Sequence, residues 1–228
     1  MKKLKTLGIV TTVFLVLMMS ALGIAAAFGF FGEEKPEKGK TETDITAENI
    51  NSDWIVPETG KTAVIKTDLG EIKIALSGSE AAEKFASLAK EGAFDGAEFK
   101  TLAENMFIQT ETCGESFSAE KNEFACINGV IGFVSEDGET FPSLVIINSG
   151  ELSGFSKAFL SESSFPEEKT AIYEKFGGIP EYEGKIVVFG KIISGSDIVE
   201  EIASGKNSGY TGGYSALEPV KIISAEIF

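Results

Sequence analysis

From Lys61 to the C-terminus the sequence is cut into short β-rich runs by glycine-containing turns, and this limits the fold more than any other feature. The runs TAVIKT and EIKIAL flank Asp68-Leu69-Gly70, a hairpin signal: two extended segments around a tight turn. Further runs follow, AEFKTL, MFIQT, GVIGFV, SLVIIN, IVVFGKII and PVKIISAEI. Between them, SEAAEKFASLAKEG places Ala81, Ala82, Phe85, Leu88 and Ala89 on one helical face, with Ser79 as N-cap and Gly92 as stop. SDIVEEIAS predicts a second helix behind an N-cap at Ser196, with Ile198, Val199, Ile202 and Ala203 turned inward. Many short strands with two or three helices and no internal repeat predict a mainly β protein, a closed or nearly closed barrel.

The N-terminus is different material. Lys2, Lys3 and Lys5 precede an apolar run from Leu7 to Phe31 with no charge before Glu33, about the length that crosses a bilayer as a helix. Residues 1–31 are read as a signal anchor, because hydrophobicity continues past Ala25-Ala26-Ala27; a signal peptide cleaved at those alanines is the other reading. The lysines put the N-terminus in the cytoplasm and the rest outside. Residues 32–60 are polar and charged, with Pro36 and Pro57, and cannot bury enough surface to fold alone. They read as a flexible acidic linker to a domain over 61–228, with Trp54-Ile55-Val56 the only triplet able to dock.

Charge and composition exclude several functions. The 228 residues carry 20 basic and 35 acidic side chains, a net charge of −15, and every basic residue is lysine. With no histidine and no arginine, Ser–His–Asp and Cys–His catalysis, a histidine-bearing zinc site and a bidentate guanidinium clamp are ruled out. So acidic a surface repels phosphate, which argues against a nucleic-acid partner. Nothing in the sequence calls for a metal or a cofactor.

The order of motifs resembles the cyclophilins, the peptidyl-prolyl cis–trans isomerases. GKIVVFGKIISGSDIVEEIAS (184–204) is similar to that family's late strand and helix. TAVIKTDLGEIKIAL and the segment up to Phe99 resemble its opening, IYEKFGGIPEYEGK resembles the longer loop of many bacterial members, and LEPVKIISAEI its last strand. The resemblance covers about residues 61–228 and implies an eight-stranded antiparallel barrel capped by helices. It implies action on X–Pro segments, so proline-containing peptide segments or protein clients are the expected partners.

The resemblance also implies a site. In FKTLAENMFIQTE, Phe99 keeps its place, Lys100 stands for a histidine and Thr101 for the essential arginine. Met106 and Phe107 stand for an apolar pair, and Gln109, the chain's only glutamine, falls on the family's glutamine. Strand alternation is expected to turn Lys100 to the face opposite Thr101. Leu144 stands at a second glutamine and Ile146 at the pocket phenylalanine. Glu181 falls where tryptophan or histidine is usual, Tyr182 at a pocket leucine and Ile186 at the pocket histidine. Gln109 is read as a retained catalytic-site residue, or else as a core amide bonded to backbone. With Thr101 lacking the charged donor, weak isomerase activity, non-catalytic peptide binding and an anchored structural domain remain as functions. Cys113 and Cys126, the only cysteines, are expected to form a disulfide on the exposed side of a membrane, with two separate thiols as the alternative.

Overall fold

The computed structural model describes residues 52–57, 59–120 and 123–228. The expected membrane segment over 1–31 and most of the 32–60 linker lie outside the described residues. Among those described, no helix is long and apolar enough to cross a membrane.

Eight strands form one antiparallel sheet in the order β3-β4-β6-β5-β7-β2-β1-β8. They are β1 (Thr62–Thr67), β2 (Glu71–Leu76), β3 (Phe99–Ala103), β4 (Phe107–Thr110), β5 (Val130–Glu136), β6 (Glu139–Ile147), β7 (Ile186–Ser194) and β8 (Ile222–Ile227). The sheet curls until its edges meet. Glu98 bridges Lys221, the Phe99 amide donates to Val220 O at 2.9 Å, and the Ile222 amide donates to Ala97 O at 2.8 Å. The expected eight-stranded barrel with capping helices is therefore present, its seam made of scattered bonds instead of a regular ladder.

The barrel interior is filled by alternate residues of the strands. Ile65 and Ile72 face each other across the first hairpin, both fully buried. Helix α1 (Glu80–Lys90) plugs one opening with the apolar face its spacing predicts, and Ser79 caps it by accepting from the Ala82 amide at 3.3 Å. Its Phe85 stacks on Phe189 at 4.8 Å, and Phe189 meets Phe133 at 4.6 Å. Burying each such ring contributes roughly 1.5–3 kcal/mol, so this cluster anchors the core. The late helix α4 (Ser196–Ala203) starts one residue earlier than its sequence suggests, for Gly195, not Ser196, is the N-cap. Gly195 has φ of 89°, and a Cβ there would lie 2.3 Å from Glu71 O, so only glycine lets the chain pass so close to β2.

Two helices were not foreseen, α2 (Gly154–Glu162) and α3 (Glu167–Phe176). The segment read as a loop thus contains α3, followed by a 3-10 turn over Pro180–Tyr182. Between them Gly177 and Gly178 thread against the 149–150 and 126–127 backbones, where a Cβ on either would sit 2.4 Å from a carbonyl oxygen. This crossing holds a second buried layer outside the main core, with Ile172, Tyr173, Ile179, Tyr182 and Cys126 each at most 2% exposed. Trp54–Val56 docks beside it: Val56 is buried and the Trp54 carbonyl accepts from the Ala125 amide at 2.8 Å.

Candidate functional site

Strand β4 has two unlike faces. Ile108 belongs to the barrel core, which turns Phe107 and Gln109 to the outer wall. Directly paired residues share a face. Gln109 stands opposite Thr101 on β3 and Val145 on β6, while Phe107 stands opposite Ile147. The Gln109 amide is held there, for Nε2 donates to Ser143 Oγ at 3.0 Å and Ser143 Oγ donates to Thr110 O at 2.6 Å. One end of the Gln109 amide is therefore fixed by a serine two strands' width from Thr101.

Beside this row the Tyr182 ring packs on Phe107, centroids 5.5 Å apart, and Lys185 Nζ lies 5.4 Å above the Tyr182 ring. Ile186 faces outward on β7, where a Cβ at Gly132 would come within 2.5 Å of its Cγ2, so the glycine makes room for it. Burial raises the Tyr182 hydroxyl well above its ordinary range and lowers the Lys185 amine. A cavity of ≈ 450 Å³ opens between α2 and α3 but includes none of these residues.

The structure thus places Thr101, Phe107 and Gln109 on the outer wall with Tyr182 packed on Phe107, while Ile186 faces outward on β7, three strands from β4. Met106 is half-buried in the turn between β3 and β4, its carbonyl accepting from the Asn148 amide at 2.9 Å. Phe99, Leu144 and Ile146 are corrected: all three are fully buried in the barrel core and line no outer surface. On β6 the outward residues are Val145 and Ile147, one step from those expected, and with a period of two a one-residue slip reverses every face. On β3 a register shift between Phe99 and Thr101 breaks alternation, so Phe99 and Leu102 both point inward. Lys100 consequently faces solvent instead of the interior, ion-paired with Glu98.

Glu181 is drawn away to α2. Ser153 caps that helix, and Ser156 Oγ in its first turn donates to Glu181 Oε1 at 3.2 Å. Glu181 Oε2 is buried with no hydrogen-bond partner among the described residues. Burial raises the carboxyl above its ordinary value, against the opposing pull of Ser156 and Lys185. A raised acid binds its proton more tightly in the folded chain, so stability falls as pH climbs from the ordinary carboxylate value through the raised one, and stays lower above that. Glu181→Gln keeps the acceptor for Ser156 and removes that cost. We expect a higher melting temperature than wild type near neutral pH and no difference below about pH 4; a variant no more stable at neutral pH would contradict this.

The cysteines are separate thiols, a second correction. Cys113 packs against the barrel core and donates to Glu111 O at 3.3 Å, and burial pushes its thiol up to about 11. Cys126 lies in the outer layer, where its amide donates to Tyr173 Oη at 2.8 Å. The two belong to different layers, which accounts for their separation.

Sequence reasoning missed the cluster behind this site. Lys169, 6% exposed, bonds Glu183 Oε2 at 2.6 Å and Glu123 O at 3.2 Å, and Tyr173 Oη donates to Glu183 Oε1. Glu183 sits between Tyr182 and Lys185 in the chain, so the cluster fixes the turn that carries both. The spacing of Lys169, Ile172 and Tyr173, three and four apart, was the available signal.

Residues 62–227 match the family model of cyclophilin type peptidyl-prolyl cis-trans isomerase/CLD. A putative peptidyl-prolyl cis-trans isomerase of Staphylococcus saprophyticus is 28% identical over 137 residues, covering 54% of this chain and 70% of that protein. A putative bifunctional phosphatase/peptidyl-prolyl cis-trans isomerase of Streptococcus pyogenes is 26% identical over 167 residues, 66% of this chain but only 36% of that longer protein. Among solved structures, a cyclophilin type peptidyl-prolyl cis-trans isomerase of Cryptosporidium parvum, crystallised in the presence of the dipeptide Ala-Pro, superposes with a TM-score of 0.56 at 17% identity. The superposition covers 73% of this chain and 98% of that one.

Proposed function

Because the chain belongs to the cyclophilin-type peptidyl-prolyl cis–trans isomerase family, we propose that its outer wall at Phe107, Gln109 and Tyr182 binds X–Pro segments and isomerises them slowly. The observation that carries this reading is the row Thr101–Gln109–Val145, with the Gln109 amide held by Ser143 beside an aromatic pair. An apolar ring and a fixed amide suit a proline and the backbone next to it. Slowness follows from Thr101. Rotation about the bond must overcome amide resonance, a barrier of ~18–20 kcal/mol. It is eased when a donor meets the imide nitrogen as that atom becomes pyramidal. A threonine hydroxyl is a short, neutral donor, and a missing preorganised donor costs roughly 10²–10³ in rate.

NMR exchange on an Ala-Pro peptide with the chain from Ser52 tests this. Slow exchange, with shifts at Phe107, Gln109 and Tyr182, is expected. Shifts without exchange would favour a peptide-binding module. No shift at any peptide concentration would leave a structural domain, the reading that the near-complete burial of Phe107, Val145 and Ile147 favours.

The apolar run Leu7–Phe31 supports a place for this activity. In our reading it anchors the chain in the cell membrane, and the domain acts on extracytoplasmic clients. The full chain is then expected in the membrane fraction, extracted only by detergent. A released form beginning near Phe28 would instead indicate signal cleavage and secretion.

A further inference from the structure

The hairpin that follows α4 extends the outer wall past β3. Residues 206–217 fold back on themselves: the Ser208 amide donates to Ser215 O and the Leu217 amide to Lys206 O, both at 2.9 Å, and Asn207 bridges Ala216. The returning arm runs along the outer edge of β3, where the Leu102 amide donates to Tyr214 O at 2.9 Å and the Ala216 amide to Lys100 O at 2.8 Å. Asn207 pins the other arm, for Nδ2 donates to Leu102 O at 3.0 Å and Oδ1 accepts from the Gly209 amide at 2.8 Å. Ser215 bridges Thr101, so the row that holds Gln109 and Thr101 continues onto the hairpin. Its tip is a 3-10 turn over Tyr210–Gly212.

Two tyrosines of this tip lie where the backbone alone does not send them. Alternation sets Ala216 against the core and Ser215 outward beside Thr101, and calls for Tyr214 to turn inward again. Tyr214 instead has φ of 54°, in the left-handed region that a bulky side chain rarely adopts, and its ring lies outside the core. It meets Tyr210 at 6.1 Å between centroids and 70° between planes. After burial and Glu181, Tyr214 also helps to raise the Tyr182 hydroxyl, which sets it on the side of the ring that packs on Phe107. Such strain persists only where neighbours hold it, and here the Tyr214 amide donates to Gly209 O while its carbonyl is held by Leu102. Tyr210 is 46% exposed, an aromatic face left in water at the rim of a buried wall.

We propose that Tyr210 and Tyr214 form a second subsite of this wall, which takes an aromatic side chain within two residues of the bound proline. The inference rests on the peptide-binding reading above and adds the sequence preference of the same site. Two rings set at a steep angle leave a corner that a third ring fills edge to face, the arrangement aromatic pairs prefer. Tyrosine offers that area at small entropic cost, because only two side-chain torsions need be fixed. The reach fits as well. Neighbouring strands lie about 4.8 Å apart, so the hairpin arm is roughly 10 Å from β4. Two residues of extended peptide cross about 7 Å of that, and an aromatic side chain covers the rest.

The test titrates the full chain with Ala-Ala-Pro-Ala-Ala and with four peptides that carry a single Phe in place of each alanine in turn. Wild type is expected to bind at least one Phe peptide about 3-fold to 10-fold more tightly than the all-alanine one, the gain of one aromatic contact. In the Tyr210→Ala, Tyr214→Gly double variant that ratio is expected to fall to about 1. Melting is followed alongside, since glycine relieves the left-handed φ at position 214 and is expected to leave the melting temperature unchanged or higher. Equal affinity of wild type for all five peptides overturns the subsite and leaves the proline site standing. So does a preference that survives in the double variant. An equal loss for every peptide, the all-alanine one included, makes the tyrosines mere supports of the loop and overturns the subsite too. No binding of any peptide by wild type overturns both readings.

Discussion

The Thr101→Arg variant is expected to isomerise an X–Pro peptide roughly 10²-fold faster than wild type, the converse of losing a preorganised donor. Thr101 stands directly opposite Gln109, and on its other side the chain runs back past it, with Ser215 bridged to Thr101. It lies outside the barrel core, so a longer side chain displaces no residue of that core. A guanidinium is always charged and offers donors in a rigid plane, one edge for a carbonyl and one for the imide nitrogen. Glu98 already holds Lys100 and lies 3.7 Å from Lys221, which leaves it little hold on a new cation. Peptide exchange measured on the folded variant decides the matter. A variant that melts like wild type and exchanges no faster would mean that the wall has lost its pocket. Wild-type turnover at the level of an ordinary cyclophilin would remove the reason to invoke Thr101 at all.

Lys169→Ala is expected to destabilise the domain by about 3–5 kcal/mol, the usual cost of removing one partner from a buried ion pair. The Lys169 and Glu183 side chains are 7% and 17% exposed, 2.6 Å apart. Without the amine, Glu183 keeps only the Tyr173 hydroxyl among the described residues, and the Glu123 carbonyl loses the Lys169 donor. The aliphatic stem and charge also lie against Trp54 and Phe165, at 5.8 and 5.2 Å from their ring centroids. Urea denaturation reads the loss as a lower midpoint, and Trp54, the chain's single tryptophan, reports it by fluorescence. Adding Glu183→Gln should recover part of the loss, because it removes the stranded charge. An unfolding free energy within about 0.5 kcal/mol of wild type, the range of an ordinary surface substitution, would show that water reaches the pair freely.

Much of the fold can be read from local pattern. Period-two runs and Asp68-Leu69-Gly70 mark the first hairpin, and the apolar stripe of α1 behind Ser79 marks its helix, because backbone sterics and burial act within a few residues there. That Gln109 faces outward is seen only once Ile108 is found in the core. Burial separated what alternation left ambiguous. Phe99 and Leu102 both face inward only because a bulge intervenes, and Leu144 and Ile146 belong to the core only because β6 pairs with β4 in one register and not its neighbour. Register is a property of two strands, so neither strand's sequence states it. EEKTAIYEKF carries five charges in ten residues, yet Lys169 is buried, since its partners Glu183 and Glu123 arrive from distant segments. Likewise Lys185 acquires its place over Tyr182 through a turn closed by the β5–β7 pairing. What the sequence by itself determined was the local pattern and the chemistry each residue can offer: a barrel, a single glutamine, no arginine and no histidine. Which of those groups meet was decided by the tertiary structure, because desolvation, ion pairing and ring contact depend on distances between segments that only closure of the barrel brings together.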